Sequence, residues 1–365
     1  MSAVHGGDVL GVARAFGRDP ASLLDFSANV NPLGPPAGVL TVLRDALAAP
    51  ALLTAYPDPH ARELTAAIAA RERIAPERVL VANGGAALLD ASVRALGAAR
   101  CVLPIPAFSE YARALRAAGT AIVPFALGAE TGFVLDPDVL VERVRETGSD
   151  LCVFANPHNP SGALLAADQV LALVRRLARL GCATIVDEAF VDYVPEASIA
   201  GALEAEEPVV VLRSLTKFYA IPGLRVGYAF ASRSTAARVR AVLPSWPVGT
   251  LEQRAACAAL ADEEYARRSR AANARARAEL AVSLRALRAH VFPAAANFLL
   301  IDVGAFAPDA PALREALIAR RGIVVRAFAD DPALSGVSVI RVAVRGANDN
   351  LRLAAAIEEW TATTS

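Results

Sequence analysis

The segment Val209-Val-Val-Leu-Arg-Ser214-Leu-Thr-Lys217-Phe-Tyr-Ala-Ile-Pro-Gly-Leu-Arg225-Val-Gly-Tyr228 joins two short apolar runs through a loop. That loop carries a hydroxyl, an amine and a guanidinium. The first run, Val209–Leu215, has the β-branched content of a buried strand, and the second extends over Val226–Ala231. Upstream the same kind of run recurs at Val79–Asn83, Arg100–Ile105, Ala121–Leu127, Leu151–Asn156 and Ala183–Phe190. Between the runs lie Ala86–Leu96, Ser109–Ala118 and Ala166–Leu180, with apolar spacings of three and four that predict helices. Strands alternating with helices predict an α/β domain around a mainly parallel seven-stranded sheet. Ligands on such sheets bind beyond the carboxyl ends of the strands. A long Ala/Arg helical region then runs from Leu251 to about His290. Strand candidates follow near Asn297–Asp302, Ile323–Arg326 and Val337–Val344, and a final helix from Asp349 to about Trp360. These elements predict a smaller α+β domain. The expected division is 1–45 (an N-terminal arm and part of the small domain), 46–255 (the large domain) and 256–365 (the rest of the small domain).

Composition narrows the function classes. The chain has 365 residues, 55% hydrophobic and 20% charged, which excludes disorder and allows a sizeable core. A formal net charge of +0 argues against nucleic acid or an anionic membrane surface as the main partner. No apolar run approaches the ~18 residues of a membrane span, and Met1–Asp8 does not read as a secretory leader. Cys101, Cys152, Cys182 and Cys257 are scattered without CxxC spacing, as expected of reduced thiols in a cytoplasmic protein. Lys and Arg number 37 together, yet Lys217 is the single lysine. Arginine replaces lysine as a surface cation but cannot form an imine, so the one retained amine is a candidate for Schiff-base chemistry.

Three other motifs surround it. Ile185-Val-Asp187-Glu188-Ala-Phe190 brings a carboxylate to the end of a strand. Asn156-Pro-His158-Asn159-Pro-Ser-Gly162 ends another with residues that break regular structure. Asn83-Gly84-Gly85-Ala86-Ala87 links strand to helix, where backbone N–H groups suit a phosphate. Asp187 lies 28 residues after Asn159, and Lys217 lies 30 after Asp187. Glu188, adjacent to Asp187 on a strand, should point to the opposite face and share no proton with it. His158 reads as a structural loop residue, and no cluster has metal-ligand spacing.

Taken together, these motifs resemble the fold type I pyridoxal-phosphate enzymes, the aminotransferase superfamily, over essentially the whole chain. The resemblance implies pyridoxal 5'-phosphate as cofactor, with Lys217 as its Schiff-base lysine. It also implies Asp187 on the pyridine nitrogen, Asn159 on the phenolic oxygen and Phe108 stacked on the ring. Ser214, Thr216, Arg225 and the amides of Gly84, Gly85 and Ala86 would bind the phosphate. Tyr56 would reach that phosphate from a second subunit, implying a homodimer. Two departures stand out: Ala86-Ala87 replace the Ser/Thr and Glu common in the phosphate loop, and Phe190 replaces a tyrosine.

The amino-terminal region narrows the resemblance. His5-Gly-Gly-Asp8 and Leu24-Asp-Phe-Ser-Ala-Asn29-Val-Asn31-Pro-Leu-Gly34 are similar to the threonine-phosphate decarboxylases of cobalamin biosynthesis, although Asp8 stands where those usually have Asn. The implied reaction releases CO₂ from a phosphorylated amino acid. The bond that breaks is the one held perpendicular to the cofactor ring, so the substrate carboxylate must turn out of the ring plane. Arg341, with Arg326 as its partner, would fork onto the substrate phosphate, and His5 and Asn29 would complete that pocket. The alternatives are a histidinol-phosphate-type aminotransferase and, more remotely, a non-catalytic sensor domain. The latter predicts a fused DNA-binding domain, for which the short segment before the substrate-loop motif leaves no room.

Overall fold

Alternation of side chains explains how the large sheet is built. In the computed structural model, which describes residues 6–204, 206–328, 332–334 and 336–364, Val79 and Val81 enter one hydrophobic cluster. Leu80 and Ala82 of the same strand enter the cluster on the opposite face. Both faces are therefore apolar and both are covered by helices, the pattern of a buried, mainly parallel sheet. Each aliphatic side chain so buried contributes about 1.5–3 kcal/mol.

The strands are β1 (Leu24–Asp25), β2 (Val79–Ala82), β3 (Arg100–Ile105), β4 (Ala121–Ala126), β5 (Leu151–Ala155), β6 (Ala183–Asp187) and β7 (Val209–Ser214). They continue with β8 (Gly227–Phe230), β9 (His290–Val291), β10 (Phe298–Asp302), β11 (Ile323–Val324), β12 (Arg326–Ala327) and β13 (Val339–Ala343). The seven runs expected between residues 79 and 231 form one sheet in the order β2-β8-β7-β6-β5-β3-β4. Only β8 runs against the rest, pairing antiparallel with β2 and β7. The fold is thus α/β, with a second, four-stranded sheet in the order β12-β13-β10-β9. The latter belongs to a separate core containing Phe26, Leu284, Leu299, Ile301, Ile340, Val342, Leu353 and Ile357.

Several local expectations are corrected. The Ala/Arg region from Leu251 is two helices, Thr250–Ala261 and Glu263–Ala286. Asp262 separates them and caps the second by accepting from the Tyr265 N–H. Residues 323–326 are two strands in two sheets: β11 pairs in parallel with β1, whereas β12 pairs with β13. The run from Ala183 ends as a strand at Asp187, which releases Phe190 into a loop. Among the described residues no helix is long and apolar enough to cross a membrane.

Candidate active site

One end of the site is a cup built by three chain segments. Register places Gly227 between Ala82 and Ser214, so the turn after β2, the end of β7 and the start of β8 converge. Glycine is required at that point, because a Cβ on Gly227 would lie 2.6 Å from the Gly85 nitrogen and 2.7 Å from the Gly84 carbonyl carbon. Gly84 itself has φ +83 and leads into the helix Gly85–Leu96 with no side-chain cap. The first amides of that helix have no intrahelical acceptor, and together with its dipole they favour an anion. A Cβ at Gly84 would meet the Arg225 guanidinium at 2.8 Å, so that cation stands over the same turn. Arg225 is exposed and adopts a left-handed backbone conformation, with φ +51. Across the cup Ser214 caps the short helix Leu215–Phe218, and its Oγ lies 2.8 Å from the Thr216 Oγ1. Helix amides, two hydroxyls and one guanidinium thus surround the turn that precedes Ala86-Ala87.

Next to the cup lies an amine–carboxylate pair. Burial pushes the Lys217 amine down to about 8, with the cations of Arg225 and Arg341 adding to the fall and Asp187 opposing it. Burial likewise raises the proton affinity of the Asp187 carboxyl, but two donors favour its ionised form. The Tyr111 hydroxyl donates to Oδ2 at 2.6 Å and the Ala189 N–H to Oδ1 at 2.9 Å. Tyr111 also meets the Phe108 ring edge-on, with centroids 5.7 Å apart. The Tyr111–Asp187 bond was not anticipated from the sequence. Its only signal was the position of Tyr111 one helical turn after Phe108 in the helix Ser109–Ala117.

Beyond the pair lies a cationic end. Arg341 donates from Nη1 to the Asn159 Oδ1 at 2.5 Å and from Nη2 to the Ser27 carbonyl at 3.0 Å. Its guanidinium lies 5.3 Å from the centre of the Phe298 ring, which packs edge-on against Phe190 at 5.0 Å. Position 190 therefore helps to build the floor under Arg341. Because Arg341 occupies the Asn159 oxygen, the donors left on that side chain are its amide hydrogens, the polarity a phenolic oxygen requires. Arg326 faces Arg341 in register between β12 and β13. Burial first, and the Arg326 charge second, lower the proton affinity of Arg341, which remains a cation at neutral pH.

The amino-terminal arm closes this end. A Cβ on Gly6 would lie 2.2 Å from the Ser27 carbonyl oxygen, and Gly7 donates its N–H to the Ser27 Oγ at 3.0 Å. Asp8 caps the helix Val9–Phe16 by accepting from the Gly11 N–H, a role that Asn fills equally well. The departure at position 8 thus has a neutral structural reason. Asn29 is buried, and its side-chain oxygen has no hydrogen-bond partner there. Asn31 donates from its backbone to the Lys217 carbonyl and from its side chain to that of Phe218. His5 lies outside the described residues.

Three residues occupy other surroundings. Tyr56 is 81% exposed and stacks on Trp246 with centroids 4.7 Å apart, outside the cup. Both His158 nitrogens are engaged, by the Ser161 hydroxyl and the Pro106 carbonyl, and burial holds the ring down to about 4. Glu188 points away from Asp187 and binds Arg213 on the far face of the sheet. Among the described residues no group of three or more His, Cys, Asp or Glu side chains could hold a metal. The donors fit pyridoxal phosphate: backbone amides and a guanidinium for an anion, an amine of lowered proton affinity, and a buried carboxyl that accepts from Tyr111 and Ala189.

Comparison with known proteins bears on the family and the fold. The family model for aminotransferase class I and II matches residues 21–357. The chain is 35% identical to the threonine-phosphate decarboxylase of Salmonella typhimurium, over 98% of this chain and 96% of that protein. It is 34% identical to histidinol-phosphate aminotransferase 2 of Pseudomonas aeruginosa, over 89% of this chain and 86% of that one. The histidinol-phosphate aminotransferase of Sinorhizobium meliloti, solved in complex with pyridoxal-5'-phosphate, has the same fold. Its TM-score is 0.87 at 24% identity, covering 100% of this chain and 96% of that one.

Proposed function

The chain belongs to the aminotransferase class I and II family, and we propose that within it this chain is a carboxy-lyase. Its substrate in this reading is L-threonine O-3-phosphate, its products (R)-1-aminopropan-2-yl phosphate and CO₂, and its cofactor pyridoxal 5'-phosphate. The observation that carries the reading is the seat of the amino-terminal arm. Gly6 and Gly7, from the motif that distinguishes threonine-phosphate decarboxylases, pack on Ser27, whose carbonyl holds Arg341.

When bound, the cofactor supplies an electron-withdrawing ring that accepts the electron pair released at Cα. The chain's own residues do the rest. Lys217 Nζ would anchor the cofactor. The cup of Gly84–Ala86, Ser214, Thr216 and Arg225 fixes the phosphate end, and Asp187 keeps a proton on the ring nitrogen. Asn159 orients the ring oxygen, and Phe108 covers one face. Arg341 and Arg326 take the substrate phosphate, with Asn29 beside them. Binding at that remote group would orient the substrate carboxylate for release. Once the Cα–C bond has broken and CO₂ has left, Lys217 Nζ would be the group that returns one proton to Cα. Tyr56, exposed beside Trp246, is assigned to the phosphate cup of a second subunit in a homodimer.

A histidinol-phosphate-type transamination is the second reading, favoured by the 34% identity to such an enzyme and by the same arginine pair. A paired assay separates the two. Cofactor-loaded protein with threonine phosphate alone is expected to yield CO₂ and aminopropanol phosphate. Glutamate from histidinol phosphate and 2-oxoglutarate, without CO₂ in the first tube, would establish the transaminase.

A further inference from the structure

Behind the site, on the other face of the sheet, lies a charged cluster that the chemistry above does not use. Arg213 precedes Ser214 on β7, and Glu188 follows Asp187 at the end of β6. Alternation turns Asp187 and Ser214 toward the site and sends Glu188 and Arg213 the opposite way. Both are almost fully buried, at 1% and 3% side-chain exposure, and Arg213 Nη1 lies 2.8 Å from Glu188 Oε2. Glu188 is held along its whole length. Its N–H donates to the Leu212 carbonyl, Oε1 accepts from the Ile199 N–H and Oε2 accepts from the Ser198 hydroxyl. Arg213 also reaches Glu72 at 3.2 Å and Asp192 at 3.8 Å.

We propose that the Glu188–Arg213 ion pair is a positioning device that locks the ends of β6 and β7 together. It thereby sets the separation of Asp187 from Ser214 and from the Lys217 turn. The inference rests on the reading that Asp187 and Ser214 grip opposite ends of pyridoxal phosphate. A cofactor of fixed length is held at its ring nitrogen by one strand and at its phosphate by the next, so relative slip of the two strands misplaces one contact. The backbone ladder between β6 and β7 ends at the Glu188 N–H on the Leu212 carbonyl, so Arg213 and Ser214 lie past its last rung and are free to shift against β6. A buried ion pair at those residues removes that freedom. Glu72 serves as an internal contrast, since it meets the same guanidinium from the end of the helix Arg62–Glu72.

The test compares Glu188→Gln, Arg213→Lys and Glu72→Gln as purified protein. It reads the pyridoxal 5'-phosphate dissociation constant, the pH titration of the cofactor's visible absorbance, and Tm without cofactor. Positioning predicts that E188Q and R213K weaken cofactor binding roughly 10- to 100-fold, the scale on which small misplacement acts, and displace the absorbance titration. E72Q is expected to lower Tm while leaving the dissociation constant and titration as in wild type. Equal cofactor affinity in E188Q and wild type would overturn the proposal, as would equal losses of affinity in E72Q and E188Q. E188Q is nearly isosteric and keeps an acceptor for Ile199, so it decides the matter even if R213K does not fold. Wild-type protein that fails to bind pyridoxal 5'-phosphate would instead refute the functional reading on which the inference stands.

Discussion

Lys217 allows an unusually clean measurement, because it is the only lysine in the chain. Burial and two nearby guanidiniums bring its amine from the ordinary 10.5 down to about 8. At pH 7.5 roughly one quarter of such an amine is neutral, against about one part in a thousand at the ordinary value. The supply of nucleophile therefore rises on the order of 200-fold. The perturbations are Arg225→Gln, which removes a cation, and Asp187→Asn, which removes the opposing anion. The first is expected to raise the Lys217 pKa and the second to lower it. Each effect should lie between a few tenths of a pH unit and about one, since burial, the largest cause, survives both changes. Reductive methylation of cofactor-free protein with ¹³C-formaldehyde places one reporter on the side chains, resolved from the amino terminus and titratable by NMR.

The same shift has a stability consequence. Between pH 8 and 10.5 the unfolded chain still holds the proton that the folded chain has released, so unfolding free energy rises with pH across that window. The penalty is fully present below pH 8 and amounts to about 3 kcal/mol, at 1.36 kcal/mol for each unit. Cofactor-free Lys217→Met protein should lack this rise in denaturant titrations. A Lys217 amine titrating at 10 or above, or one that ignores both substitutions, would refute the electrostatic account of the site.

Tyr111→Phe removes the 2.6 Å bond to Asp187. Hydrogen bonds to charged groups are worth ~1.5–3 kcal/mol, so turnover should fall about 10- to 100-fold with KM for substrate nearly unchanged; unchanged kcat would remove Tyr111 from the site. Arg341→Ala should abolish turnover of threonine phosphate by loss of phosphate binding, and full decarboxylation by that variant would sink the anchoring assignment. Gly227→Ala forces a Cβ to within 2.6 Å of the Gly85 nitrogen. Since backbone must move to admit it, cofactor affinity measured by equilibrium dialysis should drop well over tenfold. Asp8→Ala should lower stability by about 1 kcal/mol through loss of the helix cap, read as a shift in the urea midpoint.

Some of this molecule was legible in one dimension. The seven strands of the large sheet were visible because buried parallel strands are continuous apolar runs, and a run of β-branched residues between helical spacings has few other uses. The candidate chemistry was visible for a related reason: an amine, a carboxylate and an amide side chain, each after a strand, must gather at one sheet edge. Helix caps such as Asp262, and the division of residues 323–327 between two sheets, were not visible. Strands of two residues, such as Leu24–Asp25 and Ile323–Val324, have no period of their own and exist only because each supplies the other's hydrogen bonds.

What tertiary structure alone decided is who faces whom across long sequence distances. The Tyr111 hydroxyl meets a carboxylate 76 residues away, and Arg341 spans from Asn159 to Ser27. Strand register, not local pattern, inserts Gly227 between Ala82 and Ser214 and so shapes the cup. Strand alternation foretold that Glu188 would turn away from Asp187, but it could not foretell Arg213 waiting there. Local sequence sets which backbone states are cheap and which side chains seek burial. Pairing between distant polar groups is selected only when the packed strands bury them together away from water.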